Sequence, residues 1–270
     1  MNPFARLSFN QITANPWTLE QAVRNCVDAG VPNIAVWRHK LNGNVKSAAT
    51  LIRNSGLRVS SLCRGGYFSA PTAEERKRRI ADNCLAIEEA AILNAPVLVI
   101  VSGPPDGQSL SNARATVIDG LREILPVAEK AGVTLGIEPL HPMYAAERSV
   151  VVTLKQANDI AEHLSSPAAG VVIDVFHVWW DPEVASEIDR ARGKIAGFHI
   201  SDWPVPLPGI LMGRAMVGDG VIELRKLREL VDSAGYDGPI EVEIFNEQVW
   251  RMPERELMEL MRRRFLEHVV

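Results

Sequence analysis

Apolar residues along this chain fall into two alternating patterns. Short unbroken runs rich in Val, Ile and Leu read as strands buried on both faces. Longer segments with apolar residues three and four apart read as amphipathic helices. The alternation repeats eight times. Arg6–Phe9 leads to a helix from about Thr18 to Gly30, and Asn33–Trp37 to a helix that ends at Gly56. Arg58–Cys63 is followed by Arg64-Gly65-Gly66 and a helix from about Thr72 to Asn94. Pro96–Val101 closes on Ser102-Gly103-Pro104-Pro105 before a helix from about Ser111 to Gly132. Val133–Glu138 precedes a loop through His141 and Pro142 and a helix near Thr153–Leu164. The sixth run, Val171–Asp174, stops on a carboxylate, with His177, Trp179 and Trp180 close behind. Asp181 as N-cap with Pro182 at the first helical position predicts that the next helix starts there and ends near Gly193. Lys194–His199 is the seventh run. The longest irregular segment, Ser201–Gly220, has three prolines and four glycines and is expected to be a lid. A helix over about Glu223–Ala234, the eighth run Pro239–Phe245 and a helix from about Pro253 complete the chain.

Strands alternating with helices pair in parallel through right-handed crossovers. Eight such units in 270 residues predict closure into one (β/α)8 TIM barrel, a single domain over residues 1–270. No Gly-x-Gly-x-x-Gly follows the first strand, which argues against an open dinucleotide-binding sheet. Composition adds little to this: 47% apolar and 23% charged residues form an ordinary globular balance. The net charge of −4 comes without a basic face, so nucleic acid is not an expected partner. The basic runs Arg76–Arg79 and Arg262–Arg264 fall in helical patterns and read as solvated faces. Cys26, Cys63 and Cys84 lack metal spacing, and no run reaches membrane-spanning length. The expectation is a soluble, cytoplasmic protein without a membrane partner.

In such a barrel the chemistry sits at the C-terminal ends of the strands. The fifth strand ends on Glu138, the sixth on Asp174 and the seventh on His199, and the eighth carries Glu241 and Glu243. Glu241 and Glu243 share parity and so face the same side, with Glu243 nearer the rim. A lone acid at a strand end is usually a helix cap, and a lone His usually a satisfied core residue. Consecutive strand ends that all carry ligand-type residues are a different matter. Converging carboxylates repel one another, and a divalent metal resolves the repulsion. Glu138, Asp174, His199 and Glu243 are therefore the candidate metal ligands. Oxygen-rich ligation with one imidazole suits Mn²⁺ first, with Mg²⁺, Co²⁺ or Zn²⁺ as alternatives. The negative charge left over should raise one carboxylate toward the range of a general base.

The set Glu138, Asp174-x-x-His177, His199 and Glu243 resembles the xylose isomerase-like barrel superfamily of sugar-phosphate isomerases and epimerases. Glu138-Pro139-Leu140 and Glu241-x-Glu243 are similar to its tagatose 3-epimerase branch. The resemblance implies that the four ligands hold one metal and that Glu138 and Glu243 are catalytic, shuttling a proton at a carbon next to a carbonyl. It also implies that His177 contacts a substrate oxygen and that Arg214 binds substrate. Tyr144 stands where those epimerases place a further glutamate. His141 nearby and Trp179, with Trp180, Trp203 and Trp37, are candidates for a substrate-binding rim. Arg38, His39 and Arg64 read as surface residues that could alternatively reach the pocket, and Asp219 as a turn residue. Lys194 lies at the wrong end of its strand for hydride-shift chemistry.

The expected activity is that of a metal-dependent sugar isomerase or epimerase acting on a small-molecule sugar, in a homo-oligomer. The alternative is a lyase or dehydratase on a keto-sugar, keto-inositol or 3-oxo-glycoside, including C-glycoside cleavage with a small second subunit. More remote are an AP endonuclease-like nuclease, which would need histidines where Arg64 and Ser102 stand, and an inactive binding barrel.

Overall fold

The structure, a computed structural model, describes residues 2–270. Eight parallel strands close in chain order, with β1 (Leu7–Asn10) paired to both β2 (Asn33–Trp37) and β8 (Ile240–Val242). Between them run β3 (Arg58–Gly66), β4 (Val97–Val101), β5 (Thr134–Glu138), β6 (Ala169–Asp174) and β7 (Ile195–Ile200). The principal outer helices are α1 (Leu19–Asp28), α2 (Val45–Ser55), α3 (Ala73–Leu93), α4 (Leu110–Ala131) and α5 (Leu154–Leu164). The second half adds α6 (Val175–Val178), α7 (Val184–Arg190), α8 (Leu224–Ser233), α9 (Glu247–Trp250) and α10 (Glu254–His268). This is the (β/α)8 TIM barrel that the alternating pattern predicts. Among the described residues, no helix is long and apolar enough to cross a membrane.

Helix starts are fixed locally. Thr18, Thr72, Ser109 and Thr153 each accept the N–H three residues on, which satisfies a donor that the helix cannot. The strands obey the parity rule. Leu135, Ile137, Val171, Ile173, Phe198, Ile200 and Val242 face the helices in the main core. Their neighbours in sequence face the lumen, where Cys63, Val97, Val99 and Val172 form a separate apolar plug with Trp37 and Ala196 against it. Gly136 keeps that plug dense, because a Cβ there would lie 2.7 Å from Val172 and 2.8 Å from Val97. Above the plug, the same parity delivers Glu138, Asp174, His199 and Glu241 to the C-terminal mouth.

Three local features differ from the sequence expectation. The sixth strand does not lead through a loop to a helix at Asp181: Asp174 itself caps the one-turn α6, accepting the Phe176 N–H at 2.9 Å. The next helix begins only at Val184, and Asp181 instead binds the Glu183 N–H in the turn before it. The eighth strand is shorter than its apolar run, so Glu243 lies one residue beyond it. The third strand is longer, and takes in Arg64-Gly65-Gly66 through a bulge: Cys63 pairs with Val99 and Gly65 with Ile100, leaving Arg64 as the inserted residue.

That bulge depends on glycine. Gly66 has φ +108°, and a Cβ there would sit 1.8 Å from the Val101 carbonyl oxygen. Asn83 of α3 clamps the same peptide, accepting the Gly66 N–H at 2.6 Å and donating to its carbonyl at 2.8 Å. Gly66→Ala is expected to destabilise the protein by about 3 kcal/mol or more, read as a lower urea midpoint with an unchanged m-value. A loss below about 1 kcal/mol would mean that the bulge relaxes without cost.

Candidate active site

Glu138, Asp174, His199 and Glu243 are all buried, and each offers a ligand atom within 4.8 Å of the others. His199 is the hub. Its Nδ1 lies 3.1 Å from Glu138 Oε1 and 3.5 Å from Glu243 Oε2, and its Nε2 lies 3.2 Å from Glu241 Oε2. Yet Glu138 Oε1 and both imidazole nitrogens make no aligned hydrogen bond. Buried polar atoms without partners are costly and rare. Donor atoms this close, yet unbonded to each other, are what adjacent ligands of one cation require. The oxygen-rich set with one imidazole fits a divalent ion by donor chemistry too.

Glu241, deeper in the lumen, faces the far nitrogen of the same ring, where a carboxylate orients a metal-binding histidine. Asn10 ties the deep and shallow acids together. Its Nδ2 donates to Glu241 Oε2 at 3.0 Å and to Glu243 Oε1 at 3.4 Å, and its Oδ1 accepts the Trp37 indole N–H at 2.7 Å. Sequence reading missed Asn10 because it ended the first strand one residue early, at Phe9. The strand-end rule that found Glu138 would have found Asn10 from the right boundary.

Arg214 comes from the long irregular segment, and is buried. Its Nη1 donates to Asp174 Oδ2 at 2.6 Å and to Glu243 Oε2 at 3.3 Å, while Nη2 lies 3.0 Å from His177 Nε2. Phe176 and Phe245 flank its guanidinium at 4.8 and 5.3 Å. The segment is anchored by an antiparallel bridge between Asp202 and Ala215, and the Asp202 carboxylate accepts the Trp203, Gly218 and Ile222 N–H groups. The Tyr144 hydroxyl donates to the Ile210 carbonyl and ties the segment to the β5 side of the mouth. Tyr144 thus fastens the segment that carries Arg214.

Burial and charge set the protonation states. Burial pushes the Asp174 carboxyl up to about 7 against the pull of Arg214, with Glu243 and Glu138 adding repulsion. Burial also raises Glu138, with His199 opposing. Burial acts upward on Glu243 too, but Arg214 and His199 outweigh it and hold that carboxylate down at about 2. His177 is driven well below the usual imidazole range by burial and then by Arg214, so it is neutral. With Nε2 accepting from Arg214, the proton is assigned to Nδ1.

The other sequence candidates lie farther out. His141 accepts the Met143 N–H at 3.2 Å and sits between Trp180 at 5.5 Å and Trp203 at 5.1 Å, on the rim rather than in the carboxylate cluster. Trp179 packs on Trp203 at 5.5 Å, and Trp180 donates its indole N–H to the His177 carbonyl at 2.8 Å. Arg38 is held away by Asp82 and Glu89, and Asp219 pairs with Arg264. Replacing Arg214 removes the guanidinium that faces Asp174 and Glu243. Arg214→Met is therefore expected to cost chelator-treated protein about 3 kcal/mol in urea unfolding, whereas a surface Arg→Met change would cost under about 0.5 kcal/mol.

The chain matches the sequence pattern of the xylose isomerase-like TIM barrel over residues 23–266. It is 25% identical over 202 residues to the L-ribulose-5-phosphate 3-epimerase UlaE of Escherichia coli K12, spanning 73% of this chain and 68% of that one. The crystal structure of protein SMc04130 from Sinorhizobium meliloti 1021 is similar at a TM-score of 0.96 and 43% identity, covering 98% of this chain and 99% of that one. The IolI protein, solved with a bound zinc atom, shares the fold at a TM-score of 0.86 and 20% identity, with 98% of each chain covered. With the profile spanning most of its length and the barrel closed in chain order, this protein belongs to the xylose isomerase-like TIM barrel family.

Proposed function

We propose that this chain is a divalent-metal-dependent isomerase or epimerase that moves a proton at the carbon beside the carbonyl of a keto-sugar. The observation that carries the reading is the buried set Glu138, Asp174, His199 and Glu243, with ring nitrogens and a carboxylate oxygen left without hydrogen-bond partners. The epimerase activity named for the UlaE relative supports the same reaction class, and the zinc named for IolI supports a metal in this fold. The donor set favours Mn²⁺ among the divalent ions.

Glu138, Asp174, His199 and Glu243 would hold the ion, which when bound supplies Lewis-acid polarisation of a carbonyl. The rest falls to the chain's own groups. Glu138 and Glu243 come from the two ends of the β5–β8 arc. One takes the proton from the carbon as its electron pair moves toward the carbonyl oxygen, and the other returns a proton. Arg214 places a permanent cation where that oxygen gains charge, desolvated between two phenylalanines. Neutral His177 holds a substrate oxygen by a hydrogen bond. The segment around Arg214, tied down through Tyr144, keeps water from the reacting carbon.

A second reading, elimination from a 3-oxo-glycoside, shares the first step. It is favoured by the rim of Trp179, Trp180, Trp203 and His141, which would stack on an aromatic leaving group.

Incubation of Mn²⁺-loaded protein with ketoses, free and phosphorylated, in D₂O is expected to place deuterium at the carbon beside the carbonyl. Exchange with none of these, and none with a 3-oxo-glycoside, overturns proton transfer. Release of an aglycone in place of an exchanged sugar would select elimination. Glu138→Gln and Glu243→Gln should each lower turnover by about 10²–10⁴-fold. Full activity in either variant removes that residue from the shuttle.

A further inference from the structure

The mouth of the barrel has a second chemical half. Beside the carboxylate cluster, a cleft of about 470 Å³ opens over the ends of β2 and β3, lined among others by Trp37, His39, Arg64, Tyr67, Arg78 and Arg79. Its chemistry is opposite in sign to that of the cluster: with Arg38 it collects four arginines against the carboxylates of Glu75 and Asp82. Most of these charges are already spent on the protein. Arg38 pairs with Asp82 at 2.8 Å and Glu89 at 2.6 Å, Arg78 with Glu75 at 2.5 Å, and Arg79 with Asp106 at 2.7 Å.

Arg64 is different. Among the described residues it has no carboxylate within 4.0 Å, and its guanidinium lies 3.9 Å over the Tyr67 ring. Stacking on an aromatic face leaves the edge N–H donors free for a planar or tetrahedral anion. The chain also strains to place it there. Arg64 is the inserted residue of the β3 bulge, Gly66 behind it tolerates no side chain, and Tyr67 itself sits at φ +58°. Bulges beside sites re-aim a side chain, and this one aims an unpaired arginine into a cleft.

The cleft and the cluster share a wall. Trp37 lines the cleft and donates its indole N–H to Asn10, whose own amide donates to the Glu241 and Glu243 carboxylates. We propose that Arg64, with Tyr67 and His39, forms a subsite for an anionic group, a phosphate or a carboxylate, carried on the substrate away from its carbonyl. The substrate class becomes an acidic keto-sugar: the carboxylate cluster takes the carbonyl end and the arginine cleft takes the charged end. A cavity that carries this much fixed negative charge on one side repels an anion unless a cation receives it. Arg64 is that cation.

The substrate assignment rests on the proton-transfer reading, but the subsite itself is tested without turnover. Inorganic phosphate, and separately malonate, are titrated into the purified protein and into Arg64→Ala, Arg64→Lys and Glu138→Gln, following calorimetric heat. Phosphate or malonate should bind the parent protein and weaken about 10–100-fold in Arg64→Ala. Arg64→Lys, which keeps the charge and loses the fork, should recover part of that loss. Glu138→Gln, which removes one of the repelling carboxylates, should bind at least as tightly as the parent. Preference for phosphate identifies a sugar phosphate, and preference for malonate a sugar acid. Equal affinity in the parent and Arg64→Ala, no binding by either anion, or a loss in Glu138→Gln alone overturns the subsite. Absence of deuterium exchange overturns the catalytic reading instead, and leaves the anion titration standing.

Discussion

Four carboxylates, those of Glu138, Asp174, Glu241 and Glu243, are buried at the mouth of a closed sheet, three of them against the His199 ring and Asp174 beside His177. Their mutual repulsion is the constraint that the surrounding structure answers. The strands that carry them are hydrogen-bonded on both sides, so the acids cannot move apart. Water cannot screen them at this depth. Counter-charge is one remaining means, met by the Arg214 guanidinium against Asp174 and Glu243, and protonation is another, favoured at Asp174 by the burial that raises its carboxyl to about 7. A divalent cation is the third means, and it would also give a partner to Glu138 Oε1 and to the His199 nitrogen that faces it.

This constraint explains why a segment full of proline and glycine folds so definitely. Arg214 must be delivered from outside the barrel, because the β5–β8 strands beside the acids carry no lysine or arginine. The Asp202–Ala215 bridge and the backbone donors gathered by the Asp202 carboxylate give the segment a fixed base. The Phe176 and Phe245 rings then exclude water from the guanidinium. Tyr144 contributes a hydroxyl to the same purpose at a position where a carboxylate would have added a further negative charge to the mouth.

Around the ring, chemistry divides by strand. The β5–β8 arc bears the acids and the histidine, the β2–β3 arc bears arginine and aromatic groups, and Asn10 at the end of β1 links the two through Trp37. Beneath both lies the plug of Cys63, Val97, Val99 and Val172, whose small and branched side chains seal the lumen. The open mouth above the plug therefore has two unlike sides, one lined by carboxylates and an imidazole and the other by arginine and aromatic side chains.

Much of this was legible in the residue order. Inward parity is a local property of a strand, so Glu138, Asp174 and His199 could be placed from the run that precedes each, and Glu243 from its spacing to Glu241. Eight repeats of strand and helix led to the barrel for a similar reason: each unit carries its own apolar face, and the helices of the first five units their own side-chain caps. Tertiary structure decided what depends on neighbours. Whether Arg38 or Arg64 is free turns on which carboxylates α3 brings near, and Arg64 enters the cleft only because the ladder with β4 slips by one residue. Asn10 joins the site through a strand pair between the two ends of the chain, and Asp174 caps its own helix because the sheet ends there. Residue order sets which side chains can do chemistry and on which face they stand; the closed sheet sets which of them meet, because charge and hydrogen bonding act over a few ångströms of space and not along the chain.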